Sequence, residues 1–146
     1  MIPAKTTGNF VSSWFGRRNR PFKLTFSVTQ RCRSRCIHCG IWRSGTTDEL
    51  TLDEIDTVFR RYPHFTWVDL TGGEIFLRRD LTEIVRRIDT RSGRLEYLHF
   101  PTNAFCGDTA ERIREIRGLT EANLVVTVSV DGPAELNDRI RGVNGA

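Results

Sequence analysis

Long hydrophobic runs are missing from this sequence. No apolar stretch approaches the roughly 20 residues that cross a bilayer as a helix. The opening segment "MIPAKTTGNFVSSWFGRRNRPF" also lacks an apolar core of the signal-peptide kind. A cytoplasmic protein is the expectation, and in the cytoplasm thiols stay reduced. That argues against disulfides as the reason for the four cysteines. Lysine is scarce as well: of 22 basic residues only Lys5 and Lys23 are lysines, so the net charge of +4 rests on arginine. The arginines are spread along the chain, many beside Asp and Glu. They read as solvated helix faces rather than as a nucleic-acid surface. What remains is ordinary. The 146 residues, 38% hydrophobic and 27% charged, suit one globular domain with a core.

Residues 1–21 show no clear period and include "GRRNRP", which predicts a loose basic arm. A repeating order then begins. In "FKLTFSVT", Phe22, Leu24, Phe26 and Val28 alternate with Lys23, Thr25, Ser27 and Thr29, the mark of a strand with one apolar face. "TLDEIDTVFRRY" predicts a helix, with Thr51 and Glu54 as a capping box and Leu52, Ile55 and Phe59 on one face. "FTWVDLTGGE" is a second strand running into a glycine turn. "DLTEIVRRIDTRSG" is a helix with Leu81, Ile84, Val85 and Ile88 inside, stopping near Gly93. "RLEYLHFPTNA" is a third strand, and "DTAERIREIRGL" a third helix with Asp108 and Glu111 as its cap pair. "NLVVTVSVDG" is a fourth strand, and "PAELNDRIRG" opens a fourth helix.

This alternation predicts an α/β fold with parallel strands, in which ligands collect at the strands' carboxyl ends. The polar motifs all fall there: the cysteines after the first strand, "TGGE" after the second, "PTNA" after the third and "SVDG" at the fourth. In the fourth strand Leu124, Val126, Val128 and Val130 form an apolar face, with Thr127, Ser129 and Asp131 opposite. A polar inner face suits a wide, partly open barrel. An uncovered apolar edge strand is a poor place to stop, so the expectation is the N-terminal part of a longer protein.

"RCRSRCIHCGIW" holds Cys32, Cys36 and Cys39. A closed zinc site needs four ligands. His38 or Cys106 would have to complete it, and His38 sits awkwardly beside Cys39. An iron–sulfur cluster usually has four thiolates; with three, one iron keeps an open position for chemistry. Both readings stand on spacing alone.

The Cys-x3-Cys-x2-Cys loop after a first strand resembles the radical S-adenosylmethionine (SAM) superfamily. So do "LTGGEIFLRRDL", "PTNA" and "SVDGPAELNDRIRG", the last similar to a segment common in peptide-modifying (SPASM-type) and cofactor-maturation branches. The resemblance covers roughly residues 22–146 and implies the N-terminal part of a partial (β/α) barrel, about four of six βα units. It implies a 4Fe-4S cluster on Cys32, Cys36 and Cys39, with SAM on the open iron. Reductive cleavage then yields a 5′-deoxyadenosyl radical that abstracts hydrogen from a substrate. By the same resemblance Gly72, Gly73 and Glu74 receive the methionyl amine, with Ile75 standing where the family usually has proline. Thr102, Asn103, Ser129 and Asp131 lie near SAM, and His38 beside the adenine. Trp42 is read as a shield of the cluster. Cys106 is read as a free thiol, His64 as an exposed residue before a strand, and His99 as an interior residue with no nameable partner. Arg31, Arg33 and Arg35 offer a docking patch for an acidic flavodoxin or ferredoxin type electron donor.

Overall fold

A computed structural model describes residues 4–16, 20–45 and 48–145. Its elements in chain order are helix α1 (Ala4–Trp14), strand β1 (Lys23–Thr29), a 3-10 turn at Ile41–Arg43, α2 (Leu52–Arg61), β2 (Trp67–Gly72) and a 3-10 turn at Ile75–Leu77. There follow α3 (Leu81–Arg91), β3 (Tyr97–Thr102), α4 (Thr109–Arg117), β4 (Asn123–Val128) and α5 (Ala134–Arg141). The strands form one sheet in the order β1-β2-β3-β4, and every pairing is parallel.

The alternation read in the sequence decides which face of the sheet is buried. Leu24, Phe26 and Val28 of β1, Val68 and Leu70 of β2, Leu98 and Phe100 of β3, and Leu124 and Val126 of β4 point to one side. There they meet Ile55 and Phe59 of α2, Leu81, Ile84, Val85 and Ile88 of α3, and Ile116 of α4, all fully buried. Each such side chain contributes about 1.5–3 kcal/mol through burial. The capping box of α2 forms as expected: Thr51 Oγ1 accepts from the Glu54 amide, and the Glu54 carboxylate accepts from the Thr51 amide.

The opposite face of the sheet is polar. Asp69 Oδ1 accepts from Trp67 Nε1 at 2.6 Å and lies 3.2 Å from His99 Nδ1, while Asp69 Oδ2 pairs with Lys23 Nζ at 2.8 Å. His99 Nε2 lies 3.0 Å from Thr127 Oγ1. The network crosses all four strands and supplies partners that sequence reading could not name for His99. Burial alone would raise the Asp69 carboxyl, but the Lys23 and Trp67 hydrogen bonds outweigh it and hold it below its usual range.

Four expectations need correction. The N-terminal segment is not without regular structure: α1 lies within it, held by Asn9 Nδ2 donating to Thr66 Oγ1 at 3.1 Å and by Phe10 edge-on to Phe22 and Trp67. Those contacts are tertiary and leave no period in the sequence; residues 17–19 of "GRRNRP" lie outside the described residues. Asp108 makes no side-chain cap at α4: its backbone stands at φ −94, ψ 3, outside the extended region an N-cap residue adopts, and the Thr109 amide and hydroxyl turn back to the Cys106 carbonyl. His64 is half-buried, packed against Tyr62 and Phe65. Val128 and Val130 do not continue the buried face of β4; they stand 54% and 68% exposed.

Candidate cofactor site

The site begins where β1 and β2 end. The Gly73 amide donates to the Thr29 carbonyl at 2.9 Å, and the Glu74 amide to the Arg31 carbonyl at 2.8 Å. These bonds carry the β1–β2 pairing past a register shift and into the cysteine loop. Only glycine permits such closeness. A Cβ on Gly72 would lie 2.0 Å from the Thr29 carbonyl oxygen, and one on Gly73 2.2 Å from that of Arg31. Gly72 also sits at φ +144, a conformation L side chains rarely adopt.

Glu74 is 2% exposed and turned into the chain. Its carboxylate accepts from the Phe76 amide at 3.2 Å, the Thr102 hydroxyl at 2.9 Å and the Asn103 amide at 2.8 Å. Three of about four acceptor sites are thus spent on bracing the end of β3. Asn103 in turn donates from Nδ2 to Ser34 Oγ at 2.9 Å and approaches Cys32 Sγ at 3.9 Å. The residue after it, Ala104, takes φ +60, where the Thr102 hydroxyl accepts from its amide.

The fourth wall is α5. Asp131 forms an ion pair with Arg141 (Nε to Oδ2, 2.6 Å), with the N–H off the line of a hydrogen bond. Arg141 reaches from the other end of its guanidinium to Cys36 Sγ at 3.8 Å. Asp131 is therefore engaged within the chain rather than free toward a ligand. Ser129 keeps its place by donating its amide to the Thr102 carbonyl at 2.9 Å.

These walls border one open cavity of about 140 Å³. Cys32, Cys36, Cys39 and His38 line it from the loop, and Gly72, Gly73 and Glu74 from the turn. Thr102, Asn103, Ser129 and Arg141 line it from the other side, with Ser34, Ile41 and Pro101. Of the residues the resemblance assigns to the cluster or to SAM, only Asp131 stands back from it, and Arg141 lines it instead. Trp42 covers the loop from outside, its Nε1 donating to the Cys36 carbonyl at 3.4 Å. Cys106 belongs to a different cavity, beside Arg33, Arg79 and Arg112.

Two supports were invisible in the sequence. Glu49 receives both Arg31 Nε and Nη2 at 2.8 Å and also accepts from the Thr29 hydroxyl, tying the far end of the cysteine segment to its start. Arg78 is 4% exposed. It donates to the Val28 and Leu50 carbonyls, each at 2.6 Å, and pairs with Asp80 at 2.8 Å. No local pattern announces such an arginine, because its partners lie 50 and 28 residues away.

Three thiols around one cavity, two of them approached by nitrogen donors, fit a thiolate-held cluster. Among the described residues no three His, Cys, Asp or Glu side chains are gathered at metal-binding distance, so a metal would draw the loop inward. Burial pushes the Cys32 thiol up, with hydrogen bonds involving Ser34 holding part of the rise back and the nearby Cys36 and Glu74 adding to it. A metal must therefore displace a proton there.

Four parallel βα units with a thiol loop over their carboxyl edge define a partial (β/α) barrel with a polar, thiol-lined cavity at that edge. Residues 26–146 match the Radical SAM superfamily, and the chain belongs to that superfamily. It is 31% identical over 120 residues to a GTP 3′,8-cyclase of Pelotomaculum thermopropionicum, covering 77% of this chain and 37% of that protein. It is 32% identical over 116 residues to that of Yersinia pestis, covering 75% and 34%. The chain thus spans about a third of the length of these relatives. Its fold is similar to Streptococcus suis SuiB bound to S-adenosylmethionine, with a TM-score of 0.71 at 15% identity over 95% of this chain and 33% of that one. It is also similar to BtrN in complex with AdoMet and 2-DOIA, with a TM-score of 0.58 at 16% identity over 84% and 52%. No helix among the described residues is long and apolar enough to cross a membrane.

Proposed function

We propose that this chain is the cluster- and SAM-binding part of a radical SAM enzyme of the cytoplasm, with Cys32, Cys36 and Cys39 holding a 4Fe-4S cluster. One observation carries the reading: the three thiols and the Gly72–Gly73 turn line the same cavity. Bound together, the cluster and SAM supply reductive cleavage to a 5′-deoxyadenosyl radical and hydrogen abstraction from a substrate. This chain's residues bind and orient. The Gly72 and Gly73 backbone offers close approach to the methionyl amine, and Glu74 adds its remaining acceptor site. Thr102, Asn103 and Ser129 present short polar groups along the cavity, and exposed His38 suits stacking on the adenine. Asp131 acts on the site through Arg141. Arg31 is already neutralised by Glu49, so the acidic electron donor meets Arg33 and Arg79, which have no acidic partner among the described residues.

Anaerobic reconstitution with iron and sulfide tests the assignment. The expected product has broad absorbance near roughly 400 nm, as iron–sulfur charge transfer gives, and Cys36→Ala abolishes it. One zinc and no iron per chain, lost on His38→Ala, would instead establish a zinc-held binding module.

A further inference from the structure

The C-terminal turn of α5 is sewn to the cysteine loop on both sides of Cys36. The Arg35 amide donates to the Arg141 carbonyl at 2.8 Å, and the Ile37 amide to the Ile140 carbonyl at 3.0 Å. A helix leaves its last carbonyls without partners, and here the loop supplies them. Gly142 closes the helix at φ +64, and a Cβ there would lie 2.7 Å from the Arg35 carbonyl oxygen. This docking fixes the Arg141 side chain, 12% exposed, against one chosen thiol: its Nη1 is 3.8 Å from Cys36 Sγ. The same guanidinium faces Asp131 at 2.6 Å. Asp131 is itself held in place, its amide donating to Asn137 Oδ1 at 2.9 Å, with Asn137 buried.

We propose that Arg141 is a positioning residue that raises the reduction potential of the cluster, through positive charge and hydrogen bonding at the Cys36 sulfur, and that Asp131 moderates it. The inference rests on the cluster reading above. A guanidinium stays charged at any relevant pH. Reduction adds one electron, and so one negative charge, beside Cys36. A neighbouring cation stabilises that added charge, the more so where solvent is largely excluded. Hydrogen bonds to cluster sulfurs act in the same direction. Asp131 offsets part of the charge, so the pair sets the potential between two limits. Asn103, a neutral donor 3.9 Å from Cys32 Sγ, is a weaker version of the same device.

The test is a redox titration of the reconstituted 146-residue chain without SAM, with dithionite as the electron source and visible absorbance and electron paramagnetic resonance as readouts. Arg141→Gln is expected to shift the midpoint to lower potential, with Arg141→Lys falling between it and wild type. Asp131→Asn is expected to shift it to higher potential. A purely structural role would lower cluster occupancy in each variant without moving the midpoints in opposite directions. If Arg141→Gln holds no cluster, Asp131→Asn decides alone, and a fall or no change overturns the inference. No cluster in the wild-type chain overturns the cluster reading and this inference with it. A cluster with unmoved potentials overturns this inference alone.

Discussion

Ala104 is the one residue other than glycine with positive φ among those described. An L side chain in the left-handed region costs about 1–2 kcal/mol. Glycine removes that cost but adds chain entropy to the unfolded state. Ala104→Gly is therefore expected to stabilise the fold by about 0.5–1 kcal/mol, read as a higher urea midpoint with an unchanged slope. The opposite logic holds at Gly72 and Gly73, where a Cβ would collide with backbone. Those glycines were recognisable in "TGGE", but the inward turn of Glu74 was not. A carboxylate's partners depend on which strand end lies beside it, and Thr102 and Asn103 are 28 and 29 residues away.

Among the elements, the cysteine loop is closed at its base by Arg31 and Glu49. Burial would raise the Glu49 carboxyl from about 4.5, but hydrogen bonds from Arg31 and Thr29 win and lower it. A depressed carboxyl contributes stability above its unfolded value, and that contribution is lost as pH falls through the folded one. The clamp is expected to hold at neutral pH and to release below about pH 4.5, toward the lowered folded value. Labelling of Cys32 in the metal-free chain by an acid-active disulfide reagent reports it. The labelling rate, corrected for thiolate fraction, should rise in that acid window in wild type and stay high and flat in Glu49→Gln. The same scale shows why the α2 capping box was legible and the Asp108 cap was not. Thr51 has the extended backbone of an N-cap residue (φ −69, ψ 162), whereas Asp108 (φ −94, ψ 3) does not, and the same residue pattern fits both.

At the scale of the molecule, β4 is an edge of the sheet, and its last residue, Val128, stands 54% exposed. An unpaired apolar edge is a template for pairing with other chains. Val128→Lys is expected to reduce self-association of the chain, measured by light scattering against concentration, without changing its circular dichroism. An open cavity also admits water, and radical chemistry needs it excluded. The reconstituted chain alone, given SAM and dithionite, is therefore expected to form 5′-deoxyadenosine slowly or not at all. Multiple turnovers by the monomer would refute this.

The sequence by itself determined the four strands, the helices α2 to α5 and the sidedness of the sheet, because burial follows a period of two in a strand and 3.6 in a helix. It also determined the thiol loop and the glycine turn, since both are contiguous chemistry. Only the tertiary structure decided that Glu74 braces β3, that Arg78 joins β1 to the turn before α3, and that Arg141 meets Cys36. Each of those contacts joins residues at least 28 positions apart. The partner of a long polar side chain is set by where the fold brings the next charge or carbonyl, and no periodicity encodes that.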